Sequence, residues 1–217
     1  MEHLSFISAA MRDKNVGALV PTTFASVRHI CRKIDCDRPV VVVEYGPGTG
    51  AFTRHLLKRL HPGSTIIAIE LNFKFARQLR RFAQRRKQRT PKLIVSNNDA
   101  RNVLKILQKQ GLDHADYVLS GIPFSFLPEP LKRDIIRCTH EALRPGGTFL
   151  VYQYSFHVRR FVGEVFEDMK VSRTFFNLPP LCVMAANKQA GAVVSVSRPE
   201  FGGEGLQAPV LVDARQS

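Results

Sequence analysis

Tryptophan is absent from the 217 residues, and the four cysteines (Cys31, Cys36, Cys138, Cys182) form no C-x-x-C pair and have no histidine cluster nearby. This argues against a structural zinc and for reduced thiols in a cytosol rather than a disulfide framework. Long apolar runs are missing too: none approaches the ~18 residues needed to span a bilayer. The N-terminus lacks a basic region followed by an apolar stretch and a small-residue cleavage site, so no secretory signal is expected. Acidic residues are scarce, 18 Asp and Glu against 32 Lys and Arg, which leaves a formal charge of +14. That excess concentrates polyanions, and charge alone does not choose between nucleic acid and the anionic face of a membrane.

What is present is the composition of one globular domain, with 44% hydrophobic and 23% charged residues. Leu4, Ile7 and Met11 follow the spacing of one helix face. Pro21, Thr22 and Thr23 read as a turn and N-cap for a second helix whose apolar stripe is Phe24, Val27, Ile30 and Cys31. The period then changes. Residues 39–44 are an apolar, β-branched run of the kind buried on both faces of a parallel sheet, and similar runs recur at 65–69, 92–95, 117–119, 148–152 and 181–186. Amphipathic segments at 52–60, 73–84, 103–109 and 131–143 separate most of them. Strand alternating with helix predicts an α/β fold, a Rossmann-like doubly wound, mostly parallel seven-stranded sheet with an N-terminal helical extension. The expected division is an extension over 1–36, the catalytic domain over 37–190, and a Gly- and Pro-containing tail over 191–217.

The first strand runs directly into Glu44-Tyr45-Gly46-Pro47-Gly48-Thr49-Gly50. In a parallel sheet this turn lies at the carboxyl edge, where ligands bind, and glycines there let the backbone approach a ligand closely. The third glycine comes one residue earlier than in pyrophosphate-binding G-x-G-x-x-G loops, and Glu44 would repel a phosphate. Both features suit a ligand with a cationic amino group. Glu70 ends the second run, where a carboxylate accepts from a ribose diol, and Asn97-Asn98-Asp99-Ala100 follows the third, where Asp99 can accept from an adenine amino group.

These three pieces in order resemble the class I S-adenosylmethionine-dependent methyltransferases over roughly residues 40–187. The resemblance implies S-adenosyl-L-methionine as cofactor, becoming S-adenosyl-L-homocysteine. It implies that Gly46, Gly48 and Gly50 shape the methionine pocket with Glu44 lining it, that Glu70 holds the ribose, and that Asp99 with Ala100 holds the adenine. Leu71 and Ser120 join them as expected cofactor contacts. After the fourth strand comes Gly121-Ile122-Pro123-Phe124-Ser125. Methyltransferases of planar amines usually carry Asn or Asp at the first position, where the side chain grips the amine. Gly121 removes that grip and makes a nucleobase acceptor less expected.

Gly-Ile-Pro-Phe-Ser with Leu127-Pro128, Val151-Tyr152-Gln153-Tyr154, Phe176-Asn177-Leu178-Pro179-Pro180 and the Pro-Thr-Thr junction are similar to the bacterial phospholipid N-methyltransferases. That family converts phosphatidylethanolamine stepwise to phosphatidylcholine. The implied catalytic set is Gly121 and Ile122 through their carbonyls, with Phe124 and Tyr154 as aromatic faces for a methylated head group; Phe126 is a further such face, or equally a packing residue. Tyr45, Tyr154 and His157 are the candidate proton acceptors. The segment 73–89 carries Lys74, Arg77, Arg80, Arg81, Arg85, Arg86, Lys87 and Arg89 with no acid among them, while Phe75, Leu79 and Phe82 should face the sheet. The expected protein is a monomer at the inner face of the cytoplasmic membrane, meeting a phospholipid substrate and an anionic lipid surface, with no DNA. The alternative is base methylation of RNA, as in the related rRNA adenine dimethylases, and RNA is a partner only under that alternative. A non-enzymatic basic module is a third reading, disfavoured by the intact Glu44, Glu70 and Asp99.

Overall fold

In the computed structural model, residues 23–86, 90–176 and 178–189 are described. The expected helix over Leu4 to Met11, Asn177, Lys87, Arg89 and the tail lie outside them. The second expected helix is α1 (Phe24–Cys31), and the Thr23 side chain caps it by accepting from the Ser26 N–H. Its apolar stripe Val27, Ile30 and Cys31 is buried as the spacing predicts, whereas Phe24 is exposed.

The apolar runs pair as parallel strands in the middle of one sheet. β1 (Val41–Tyr45) lies between β2 (Thr65–Ile69) and β4 (Ala115–Ser120), and β3 (Lys92–Ser96) flanks β2. On the other side β5 (Leu143–Gln153) pairs with β4, and β7 (Leu181–Asn187) with β5. β6 (Asp168–Thr174) closes that edge, giving the order β3-β2-β1-β4-β5-β7-β6. β7 alone runs antiparallel to its neighbours. The sequence reading missed β6 because Met169-Lys170-Val171-Ser172-Arg173 is largely polar. An edge strand buries little and needs no continuous apolar run.

Helices cover both faces because each buried strand presents apolar side chains alternately to each. On one face α1 and α2 (Ala51–Leu56) pack with Val42, Ile66 and Leu150. On the other, α4 (Val103–Lys109), α5 (Glu129–Ala142) and α6 (Arg159–Gly163) enclose Tyr45, Phe124 and Phe149. The basic segment forms α3 (Phe73–Arg85), capped by the Asn72 side chain, which accepts from the Lys74 and Phe75 N–H groups. Its buried positions are Ala76 and Leu79, with Phe82 half-buried. Phe75 is 38% exposed and so does not face the sheet as the spacing suggested.

At the amino edge one carboxylate binds three strands. Asp116 accepts from the Val41 N–H at 2.8 Å, from Arg144 Nε at 2.7 Å and from Arg38 at 3.1 Å. Burial opposes its charge, but the Val41 N–H, Arg144 and Arg38 outweigh this and hold its pKa below the ordinary value. A group so depressed stabilises the fold above the ordinary carboxylate range, and the contribution is lost as pH falls through it. Asp116→Ala should therefore lower stability by about 1–3 kcal/mol at pH 7, and by less at pH 3. Denaturant titration at the two pH values checks this; equal losses would mean that packing, not charge, sets the effect.

Candidate active site

The loops that follow β1 to β6 meet at the carboxyl edge of the sheet, and β1 delivers the first. All three of its glycines have positive φ, with Gly46 at 62°, Gly48 at 54° and Gly50 at 81°. Their surroundings differ. A Cβ at Gly50 would meet Leu79 Cδ1 at 2.9 Å, so this glycine lets α2 sit close to α3. A Cβ at Gly48 would meet nothing within 4 Å: its backbone faces open space. Gly46 lies against the turn after β4, where a Cβ would stand 3.6 Å from Ile122 Cγ1.

Two carboxylates flank this opening. Glu44 is completely buried; its Oε2 accepts from the Thr53 hydroxyl at 2.5 Å, and its Oε1 has no partner among the described residues. Burial pushes its pKa up to about 7; the Thr53 hydroxyl opposes this and the neighbouring Glu70 charge adds to it. Glu70, 2% exposed, accepts from the Gly48 N–H at 2.9 Å through Oε2 and from the Asn72 N–H at 2.8 Å through Oε1. Its pKa too is raised by burial, which these backbone bonds reduce but do not cancel. A buried carboxylate oxygen without a donor is costly unless a ligand supplies one. Glu44 Oε1, at the end of the strand that leads into the Gly48 turn, is therefore a fitting place for a cationic amino group.

The remaining expected residues converge on the same edge with different engagements. The Asn97 side chain donates to the Glu70 and Leu71 carbonyls, fixing the end of β2, and Leu71 packs on the core. Asp99 caps the short turn Ala100–Asn102, and both its oxygens are taken by Arg101, at 3.1 Å from Nε and 2.9 Å from Nη2. An adenine amine there would have to share acceptors with that guanidinium, a competition the sequence did not reveal. Ala100 is buried beside it. Ser120 is buried and accepts from the Ile122 N–H, holding the turn that carries Gly121 and Ile122.

Two expectations need correction. Phe124 is 0% exposed, locked in the core with Tyr45 and Phe149, and presents no face to a head group. Phe126, 49% exposed, is the ring of this turn that points outward. Tyr45 cannot serve as a proton acceptor: it lies fully within the core, its hydroxyl accepts from Thr139 at 3.2 Å, and burial pushes its pKa up. His157 is exposed, and Tyr154 half-buried. Two residues that the sequence reading left without a role stand at the end of β5. Gln153 has a buried Oε1 without a partner among the described residues. Tyr152 stacks on Phe52 at 4.2 Å between centroids and turns its hydroxyl to Gly121. A tyrosine in a sheet core gives no sequence signal of this. Only the absence of a side chain at 121, read with it, hinted at the fit.

A parallel sheet with one reversed strand, a glycine turn over open space and two buried carboxylates define an S-adenosylmethionine-binding methyltransferase. A family profile described as a methyltransferase domain matches residues 43–149. The chain is 35% identical over 167 residues to an ornithine lipid N-methyltransferase of Singulisphaera acidiphila, covering 76% of this chain and 84% of that one. It belongs to the class I S-adenosylmethionine-dependent methyltransferases, and S-adenosylmethionine is its cofactor. Solved structures share the fold at low identity. The 1,6-didemethyltoxoflavin N1-methyltransferase of Burkholderia thailandensis, with S-adenosylhomocysteine bound, has a TM-score of 0.62 at 16% identity, over 87% of this chain and 88% of that one. A Thermus thermophilus 16S rRNA guanine methyltransferase has 0.60 at 18%, over 80% and 44%.

The raised pKa of Glu44 has two consequences of opposite sign. Its folded pKa lies above the ordinary 4.5, so the fold favours the protonated acid; that preference is fully present below pH 4.5 and lost as pH rises through about 7. Glu44→Gln, which keeps an acceptor for Thr53, should leave stability unchanged below pH 4.5. Above pH 7 it should raise the stability of the cofactor-free protein by about 3 kcal/mol. Cofactor affinity should rise with pH through 7 in the wild type, as Glu44 ionises, and be weaker and flat in the variant. Thermal melts and calorimetric titration across pH 5–9 check both, and a variant that keeps the wild-type pH profile removes Glu44 from the site.

Proposed function

We propose that this chain N-methylates the primary amine of a membrane lipid, ornithine lipid or phosphatidylethanolamine, at an anionic membrane surface. The observation that carries the reading is the 35% identity, over most of both chains, to an enzyme named for ornithine lipid. Both lipids offer a primary amine on a short flexible stem, and neither needs the amide grip absent at Gly121. Bound S-adenosylmethionine would supply an electrophilic methyl group on a sulfonium. Glu44 and the Gly48 backbone hold the methionine end, Glu70 the ribose, and Ala100 lines the adenine side. The Gly121 and Ile122 carbonyls turn the amine N–H groups, leaving its lone pair free. Positioning of this kind supplies most of the acceleration in a reaction without a covalent intermediate.

A membrane partner is supported by what surrounds the pocket mouth. Phe24, Phe73, Phe126, Phe175, Phe176 and Leu178 are exposed, and each belongs to a loop or first helical turn at the carboxyl edge. Thr23 joins two of these segments by donating its hydroxyl to the Phe176 carbonyl at 2.6 Å. Beside them a groove of about 660 Å³ between α2 and α3 is lined by Arg54, Lys74, Arg77, Arg81 and Arg85. No helix among the described residues is long and apolar enough to cross a membrane. Apolar anchors beside unneutralised cations suit an interface of lipid phosphates over acyl chains.

With radiolabelled cofactor, label should enter ornithine lipid or phosphatidylethanolamine in mixed vesicles and not ribosomal RNA. Label in RNA alone would establish the other acceptor class. Arg77→Gln/Arg81→Gln/Arg85→Gln should weaken sedimentation with vesicles containing one-quarter phosphatidylglycerol roughly a hundredfold, from ~1 kcal/mol per charge, with cofactor affinity intact. Unchanged sedimentation would locate membrane binding outside the groove.

A further inference from the structure

Gly121 has an ordinary backbone conformation, since it is not among the glycines with positive φ. Space, not φ, demands a glycine there. A Cβ at 121 would overlap the Tyr152 hydroxyl and stand 2.8 Å from its Cζ. Gly121 and Tyr152 are thus a matched pair: the phenol on β5 fills the volume that a side chain on the β4 turn would take. Tyr152 is held rigidly, its ring stacked on Phe52 and packed against the α1–α2 core, so the position of its hydroxyl is fixed. Tyr152 is half-buried, and no side chain of the described residues hydrogen-bonds its hydroxyl, which leaves that oxygen available to a ligand. The charges that bear on it are those of Glu44 and Glu70, together with Cys31; burial is the main cause that keeps the phenol neutral well above its ordinary range. It stands between the carboxylates of the cofactor side and the turn after β4, where an acceptor enters.

We propose that the Tyr152 hydroxyl orients the acceptor amine by accepting one of its N–H bonds, in the role an amide side chain at position 121 would otherwise fill. An N–H directed at Oη leaves the nitrogen lone pair free to point at the methyl group. The contact requires an N–H, and a neutral primary amine has two, a secondary amine one and a tertiary amine none. Tyr152 therefore acts in the first and second methylations and has no hold on the third. A fixed phenol selects for a small amine on a slim stem, because Gly121 and Tyr152 together leave no room for a planar base to be gripped from this side. The assignment rests on the amine-lipid reading above, and the experiment separates the two.

Tyr152→Phe keeps the stacked ring and removes only the oxygen. On vesicles with the unmethylated and monomethylated lipid, kcat should fall roughly tenfold, with KM and cofactor affinity changed less than twofold. On the N,N-dimethylated lipid kcat should equal that of the wild type. Equal losses on all three lipids would make Tyr152 a packing residue, and a loss confined to cofactor affinity would make it a cofactor contact; either result overturns the proposal. A wild-type enzyme inactive on every lipid would overturn the lipid reading and this assignment together, whereas an active wild type with an unaffected variant would overturn only the assignment.

Discussion

The Glu70 carboxylate, bonded at one oxygen to the Gly48 N–H and at the other to the Asn72 N–H, sets the geometry on which the pocket depends. A buried carboxylate without donors would be strongly unfavourable, and two peptide N–H groups make it tolerable. The same bonds pin the turn after β1 to the end of β2, so Gly48 is held with its open side outward and Glu44 stays beside it. They also fix where α3 begins, because Asn72 is both the donor to Glu70 and the cap of that helix. Leu79 of α3 then lies under Gly50, which closes the loop from pocket back to core.

Electrostatics work on two length scales. At long range the chain carries +14 and attracts polyanions. Inside the pocket the sign reverses, with Glu44 and Glu70 as the nearest charges and both carboxyls resisting ionisation through burial. A cofactor that brings a cation into such a place restores the charge that desolvation suppresses. The protein can therefore favour anionic surfaces outside and a cationic ligand within, and the two preferences need not compete.

Much of this was legible in the sequence, for a definite reason. The β1, β2 and β4 runs are buried on both faces, so their composition is constrained throughout, and the glycine turn and Glu70 follow at positions that only strand ends allow. The edge strand β6 escaped because half-exposed strands tolerate lysine, serine and arginine. The exposed Phe75 was misread because a helical stripe counts apolar residues without knowing where the covering face ends. Phe124 and Tyr152 failed in complementary ways. Both are aromatics near the turn after β4, but whether a ring packs inward or turns a polar tip to the site depends on neighbours brought from other strands. The engagement of Asp99 by Arg101, two residues away, is likewise a rotamer choice that no spacing reveals.

The reversal of β7 has an effect on how such a protein can change over time. Because β7 runs against β5 and β6, the hairpin joining the last two strands turns at the same edge as the cofactor loops. Phe175, Phe176 and residues 178–180 thus lie on a rim carried by β6 and β7 and tied to α1 through Thr23 and His29, far from β1 and β2 in the order of the sheet. Lengthening a loop costs little conformational entropy, so drift or recombination can redraw that rim without disturbing Glu44, Glu70 or Gly48. The rim can vary while the carboxylates and glycines at the ends of β1 and β2 stay fixed.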